Sequence, residues 1–534
     1  MTRPDRVGRT PTSAAEAHVG PGGSGELTGL QSAVRGRRSG MVTLACAFLA
    51  GAVQITPLHA QPRIVELPGK SPLITIRLVF TTGAASDPSD KPGLARLTAE
   101  MLGNGGTKAL TYKQITDAMY PMATSIEAYS DKEMTTFVGQ THIDNLEKFY
   151  ALMRDVVLTP GWRPEDFTRV RDDQVNALRV SLRGNNDEEL AKEVLYNVLY
   201  AGHPYGHENM GTVAALQKMT VADLQAFHRQ HYTQANLIIG LAGGYPAGFA
   251  PRVKKDFAAL PAGPADRFDL PQPATLPHNR ATLVEKDTRS VAWSFGFPID
   301  LKRGDPDFAA LLVAQSWLGQ HRESGGELYN RMRELRGLNY GDYAYIEYFP
   351  HGMFQFEPDP NIARHRQIFQ IWIRPVEQPN AVFALRLALF ELDKLVKGGI
   401  SQSDFEKTRS FLSKYVNILT KTKSSELGYA IDSAYYGMPQ YNEYLKASLA
   451  KLNVDDVNRA VKKYLHADRL QIVGVAKDAA AIKAALVSPA ATPMHYNAAK
   501  PQDVLDEDKI VENWPIGLKP EDVTIVPVAT VFEN

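Results

Sequence analysis

Short apolar runs and longer amphipathic stretches share the first half of the chain. Leu73–Thr82 is short and rich in β-branched residues, as a strand is, whereas Pro92–Leu102 repeats its apolar residues at helical spacing. By the same criteria the remaining elements of this half are a helix over Tyr112–Met119, strands over Thr124–Tyr129 and Met134–Thr141, four helices up to Tyr232, and a strand over Leu237–Ala242.

The pattern after residue 280 has the same character. It predicts strands over Thr282–Val284, Ser290–Pro298, Asp342–Tyr348, Met353–Phe356, Gln367–Pro375 and Leu470–Ala476. It predicts helices over Asp305–Leu318, Ala381–Lys397, Gln402–Leu419, Glu426–Tyr436 and Val454–Tyr464. Strands and helices clustered in this way indicate an α+β fold. We therefore predict two halves, each a mainly antiparallel sheet with helices packed on one face.

The two halves also share local sequence. The stretch that ends at Asp166-Phe167 has a counterpart 238 residues later at Asp404-Phe405, and each stretch leads into a helix. Repeats this long indicate duplicated domains, because solenoid units are far shorter. Between the halves, Pro261–Arg280 contains five prolines and few consecutive apolar residues, which is typical of a linker.

These features divide the chain into five segments. They are a signal region at 1–60, an N-terminal domain at 61–260, the linker at 261–280, a C-terminal domain at 281–490 and a tail at 491–534. The 59 basic and 59 acidic residues of this 534-residue chain balance, which argues against nucleic acid as a partner.

The N-terminal region has the features of an export signal. Arg35, Arg37 and Arg38 precede the apolar run Val42–Val53, which is too short to span a bilayer, and a small-residue exit follows at Ala60. We predict cleavage after Ala60, a periplasmic location and no membrane span in the mature chain. A twin-arginine signal and a lipoprotein anchor at Cys46, the chain's one cysteine, fit this stretch less well.

The helix that begins near Gly93 carries the most informative motif, GLARLTAEMLGNGGT over 93–107. This frame resembles the zinc-binding helix of the insulinase (pitrilysin) family of metallopeptidases, which reads roughly G-L-A-H-x-x-E-H-M-L-x-x-G-T. Arg96 and Glu100 stand where that family has its two histidines, and Ala99 stands where it has the catalytic glutamate. An arginine has no lone pair to offer a metal, so we expect no zinc on this helix.

The resemblance extends over roughly Arg63 to Ala485 and implies two α+β halves that form half of a clam-shell chamber. It places the third zinc ligand, a glutamate, near Asn176 or Ala177, where this chain has no carboxylate. His203 and His207 flank Pro204 and Gly206, which favours a turn with capping or packing roles over metal binding.

One pair of functional residues from the family is retained. The segment from Glu327 to Tyr340 resembles the one in which an arginine and a tyrosine seven residues apart contact the bound peptide and its developing oxyanion. The pair here is Arg333 and Tyr340. For Arg331 and Arg336 we favour a structural role at the C-terminal end of a helix, where cations are stabilising.

The resemblance thus implies the partner subunit of a two-chain bacterial peptidase. We expect no cofactor on this chain, zinc on a homologous partner, a peptide substrate, no activity alone and metalloendopeptidase activity only with the partner. The alternative is a peptide-binding or assembly-scaffold protein without hydrolytic activity.

Overall fold

The computed structural model describes residues 61–268, 270–350, 355 and 357–534. The proposed signal region and most of the predicted strand over Met353–Phe356 lie outside these residues. None of the helices in the described part of the chain has both the length and the apolar composition of a bilayer span.

The N-terminal half contains five strands and eight helices among the described residues. The strands are β1 (Arg63–Pro68), β2 (Leu73–Phe80), β3 (Glu127–Ser130), β4 (Thr135–His142) and β5 (Leu237–Gly243). The helices are α1 (Leu94–Asn104), α2 (Tyr112–Met119), α3 (Leu146–Leu158), α4 (Pro164–Asn176), α5 (Asp187–Leu199), α6 (Val213–Lys218), α7 (Val221–His231) and α8 (Phe249–Phe257).

The described residues of the remainder add six strands and eight helices. The strands are β6 (Arg280–Glu285), β7 (Ser290–Ile299), β8 (Asp342–Tyr345), β9 (Gln367–Glu377), β10 (Gln471–Ala476) and β11 (Val523–Pro527). The helices are α9 (Phe308–Gly319), α10 (Ala381–Gly398), α11 (Gln402–Leu419), α12 (Lys423–Tyr436), α13 (Tyr441–Lys451), α14 (Val454–Tyr464), α15 (Ala479–Val487) and α16 (Gln502–Val511).

The two sheets have the same topology. The first has the order β1-β5-β2-β4-β3 and the second has the order β6-β10-β7-β9-β8, with β11 added beside β6. In both, the first and last strands of the repeat pair in parallel and all other pairs within the repeat are antiparallel. The predicted α+β class and the mainly antiparallel sheets are confirmed, and the shared strand order supports a duplication.

Each sheet is covered on its second face by a helix from the other half. Val79 and Ile238 of the first sheet pack against Leu427 and Ile431 of α12. Gly240 permits this contact, because a Cβ there would lie 2.6 Å from Ile431 Cδ1. In return α5 packs against β7 and β10 of the second sheet. The sequence predicted helices on one face only, so this exchange is a feature that the apolar pattern did not reveal.

The described residues contain more helices than the sequence predicted. Five helices, rather than four, lie between β4 and Tyr232, and α8, α13, α15 and α16 were not predicted. The segment after residue 490 supplies α16 and the parallel edge strand β11. The boundaries proposed for the five segments stay a prediction.

Candidate functional site

Helix α1 starts at a turn that requires glycine. Gly93 has φ of 96°, and a Cβ there would lie 2.4 Å from the carbonyl oxygen of Met210. The side chain of Asp87 caps the helix, because its oxygens accept hydrogen bonds from the backbone N–H groups of Gly93 and Ala95, both at 2.7 Å. Gly93 of the motif therefore has a structural role at the start of the helix, which is independent of any metal chemistry.

Arg96 and Glu100 are bonded to each other. Arg96 Nη2 lies 2.5 Å from Glu100 Oε1, and Glu100 Oε2 accepts a hydrogen bond of 2.8 Å from Asn104 Nδ2. Ala99 is fully buried in the core of the N-terminal half. An ion pair with a guanidinium thus connects the two positions at which the related peptidases have imidazoles.

The third position of the zinc motif lies beside this ion pair. Helix α4 ends at Asn176, and Ala177 begins a segment of wide, π-type turns that continues to Leu182. Arg96, Glu100 and Ala177 line one cavity of about 310 Å³. The structure therefore brings together the three positions that the sequence assigned to a degenerate metal site.

The chemistry of these side chains does not fit zinc. Arg96 is cationic, Ala177 offers no donor atom, and Glu100 is already engaged. Among the described residues, no group of three or more His, Cys, Asp or Glu side chains is arranged to hold a metal ion. The zinc content of the purified chain stays a prediction.

His203 and His207 have structural contacts. His203 Nδ1 accepts a hydrogen bond of 2.9 Å from the backbone N–H of Tyr205, and its Nε2 lies 3.2 Å from the carbonyl oxygen of Pro271. His207 Nε2 lies 3.1 Å from Oδ2 of the capping residue Asp87. Burial lowers the pKa of both histidines. These contacts confirm the packing and capping roles.

Arg333 and Tyr340 lie next to each other on the surface. Arg333 belongs to a π-type segment over Tyr329–Glu334, and Gly337, with φ of 71°, reverses the chain before Tyr340. The guanidinium carbon of Arg333 lies 5.8 Å from the ring centroid of Tyr340, and the ring is 75% exposed. The one ion pair of Arg333 among the described residues is with its neighbour Glu334, at 3.3 Å. Both donors are therefore available to a molecule that approaches this face.

Arg331 and Arg336 point to the protein interior. Arg331 Nε donates to Glu391 Oε1 at 2.9 Å. Arg336 is fully buried, and its guanidinium pairs at 2.8 Å with both Glu507 and Asp508 of α16. The structural role predicted for this pair is confirmed, although the partners are carboxylates of α10 and of the C-terminal segment as well as a helix carbonyl.

Sequence reasoning missed a buried ionic network between the halves. Arg364 is fully buried, pairs with both carboxylate oxygens of Asp131, and stacks on the ring of Tyr348 with its guanidinium carbon 3.5 Å from the centroid. Glu133 accepts from the ring and backbone nitrogens of His365. Burial raises the pKa of Glu133, but these hydrogen bonds outweigh it and lower the pKa overall. The charged triplet 131–133 between two strands was the available signal.

Comparisons with known proteins agree with this fold. Residues 68–213 match the family profile described as insulinase (peptidase family M16), and residues 218–412 match the profile described as peptidase M16 inactive domain. The non-peptidase homolog YmxG of Helicobacter pylori is 22% identical over 411 residues, which are 76% of this chain and 89% of that protein. An uncharacterized zinc protease of Mycobacterium bovis, Mb2805c, is 26% identical over 303 residues, which are 54% of this chain and 67% of that protein.

A solved structure shares the fold. The peptidase M16 inactive domain from Pseudomonas fluorescens superposes with a TM-score of 0.69 at 24% identity, and the match covers 78% of this chain and 96% of that one. The first profile lies within the N-terminal half and includes α1, whereas the second begins in that half at residue 218 and extends into the C-terminal half. The chain belongs to the insulinase family of peptidases (M16).

Proposed function

We propose that this chain is an exported, non-catalytic subunit of a zinc-dependent insulinase-type peptidase. It pairs with a homologous chain that carries the zinc, and it contributes Arg333, Tyr340 and a wall of the peptide chamber to that chain's active site. Alone it hydrolyses no peptide, whereas the pair is a metalloendopeptidase. Its location is the periplasm, on the basis of the signal-like segment within residues 1–60.

The observation that carries the proposal is the contrast between two sets of residues. The positions of the zinc motif are closed by the Arg96–Glu100 ion pair, whereas Arg333 and Tyr340 remain adjacent and accessible. A chain of this family with the second set but not the first suits a role in another chain's site.

The chemistry of the pair fits that role. A phenol O–H and a guanidinium N–H are fixed hydrogen-bond donors, and donors aimed at a developing oxyanion are a large catalytic contribution. Arginine cannot lose its proton in a protein, so its donors persist at any physiological pH.

A groove at the edge of the first sheet supports peptide contact. β3 has a neighbouring strand on only one side in the described part of the chain, and it packs beside α1. A groove of about 860 Å³ begins beside the start of this strand, at Ser125 and Glu127, and extends across the sheet to Gln140 of β4 and Arg77 of β2. An edge strand can pair its free backbone groups with an extended peptide. This groove is where we place the chamber wall.

The related proteins point the same way at a coarser level. One is called a non-peptidase homolog, and the matched solved structure is called an inactive domain. Neither description names a partner, so the pairing and the use of Arg333 and Tyr340 are our inference.

The experiment is purification of the chain from its native host with a tag at the C-terminus, followed by zinc analysis and peptide hydrolysis assays on the complex. We expect a co-purifying homologue with an H-x-x-E-H motif, about one zinc per pair, and chelator-sensitive hydrolysis. The same assays on the isolated chain are the control, and stoichiometric zinc with hydrolysis there would overturn the proposal. Recovery of peptides or assembly proteins without any hydrolase would favour the scaffold alternative.

A further inference from the structure

The C-terminal segment after residue 490 lies against the segment that carries Arg333. Helix α16 places two adjacent carboxylates, Glu507 and Asp508, beside Arg331 and Arg336. These two arginines flank Arg333 in the sequence. Helix α16 therefore forms ion pairs with the chain on both sides of the proposed contact residue.

Glu507 connects the two arginines through a single oxygen. Its Oε2 accepts hydrogen bonds from Arg331 Nη2 and from Arg336 Nη2, the latter at 2.8 Å. Arg336 Nη1 in turn donates to the carbonyl oxygen of Arg331 at 3.0 Å. The bonds form a closed ring that fixes the backbone between residues 331 and 336.

A second contact holds the end of the same turn. Lys500 Nζ donates to the carbonyl oxygen of Leu335 at 2.6 Å. Leu335 lies two residues before the reversal at Gly337, after which the chain leads to Tyr340. Charge-assisted hydrogen bonds of this kind are roughly twice as strong as neutral ones.

The C-terminal segment is itself anchored at its far end, so α16 is not a free helix. β11 pairs in parallel with β6, and Phe532 is buried in the core of the N-terminal half. Glu533 then pairs at 2.5 Å with Arg179, in the π-type segment that begins at Ala177, and at 2.9 Å with Arg183, which follows that segment.

We propose that Glu507 is a positioning residue, which holds Arg333 and Tyr340 in the arrangement that a partner's site requires. This inference rests on the proposed function, because the reaction is that of the pair. Its first consequence concerns this chain alone: without the Glu507 carboxylate the segment from Tyr329 to Tyr340 is held less firmly.

The test compares Glu507→Gln with Asp506→Asn in the full-length chain. Asp506 is the matched control, because it loses a carboxylate from the same helix but its only described contact is with Gln502 of α16. Lys500→Met is a second variant that removes an independent contact to the same turn. Amide hydrogen exchange over 329–340 is measured on each isolated chain, and kcat and KM are measured on each reconstituted pair.

We expect faster exchange over 329–340 in Glu507→Gln and Lys500→Met than in Asp506→Asn. We also expect kcat of the pair to fall by about 10- to 100-fold with little change in KM or pair formation, since misplacement of a catalytic group by about 1 Å costs up to that much. Unchanged exchange in both variants would overturn the inference, as would faster exchange with normal kcat. Faster exchange together with an inactive wild-type pair would show that Glu507 restrains this segment but would reject the proposed function.

Discussion

The guanidinium carbon of Arg333 lies 5.8 Å from the ring centroid of Tyr340, although seven residues separate them in the chain. The turn at Gly337 brings them together, and neither side chain is buried. Two donors this close together on an exposed surface can contact the same group of a bound ligand.

Tyr340→Phe removes one hydrogen-bond donor and keeps the ring. In the reconstituted pair we expect turnover to fall by about 100-fold or more, as loss of one oxyanion donor does elsewhere. Arg333→Lys also lowers turnover, because an ammonium cannot reproduce the planar fork of a guanidinium. Peptide hydrolysis assays measure the effect, and Tyr245→Phe, which removes a hydroxyl that donates to the exposed Glu66 of the N-terminal half, is the control. Full activity in both variants would show that the two side chains are dispensable for hydrolysis.

The purified mature chain should contain less than stoichiometric zinc, because the Arg96–Glu100 ion pair connects two of the former ligand positions. Replacement of Glu100 by Gln should not create a site, and it should cost only about 0.2–1 kcal/mol of stability, as for other solvent-accessible pairs. Inductively coupled plasma mass spectrometry on protein purified without chelators measures the metal. One tightly bound zinc per chain would contradict this expectation.

Asp131→Asn should destabilise the chain severely. It leaves the fully buried Arg364 without a charged partner, and breaking a buried pair in this way costs about 3–5 kcal/mol. Urea denaturation measures the free energy of unfolding. The control is Glu147→Gln, which breaks the exposed pair with Arg252 and should cost less than about 1 kcal/mol. Equal effects of the two substitutions would show that the Asp131–Arg364 pair does not hold the halves together.

Asp342→Asn should stabilise the chain, and more so at neutral pH than in acid. Burial raises the pKa of Asp342 to about 8, against 3.8 for the unperturbed group. Between these pH values the folded state binds a proton that the unfolded state has lost, so stability falls as the pH rises through this window. An asparagine does not titrate, so the variant does not lose stability in this way as the pH rises. Unfolding midpoints at pH 4.5, 6 and 7.5 measure it, with the exposed Asp117→Asn as the control. A stabilisation independent of pH would contradict the assignment.

The mature protein should begin close to residue 61. This follows from the basic residues, the apolar run and the small-residue exit at Ala60. N-terminal sequencing of protein from the periplasmic fraction of the host is the measurement. A mature N-terminus upstream of Val42 would show that the segment is not a cleaved signal.

The sequence predicted best those elements whose ends have local signals. The bounds of Tyr112–Met119 and Gln402–Leu419 were predicted to the residue, because Thr111 and Ser401 are N-caps whose side chains accept from the backbone. β1 was missed because its residues alternate between exposed and half-buried at a sheet edge, which leaves no continuous apolar run.

The sequence indicated which residues belong to the candidate site, but it did not indicate which residues they contact. Arg96, Glu100 and Ala177 were assigned by spacing, and they do line one cavity. The partners of Arg336 lie more than 170 residues away on α16, and no periodicity connects such distant charges. The packing of α5 and α12 on the sheets of the opposite halves could not be predicted for the same reason. The apolar face of a helix does not indicate which sheet it covers.

This exchange of helices has a consequence for the order of folding. The second face of the first sheet stays uncovered until α12, which ends at Tyr436, has been synthesised. Helix α5 in turn packs against β10, which is complete only at Ala476. Contacts this distant in sequence make folding slow and leave apolar surface exposed to aggregation in the meantime. The N-terminal half produced alone therefore lacks the cover of one sheet face, where Val79 and Ile238 would be exposed to water.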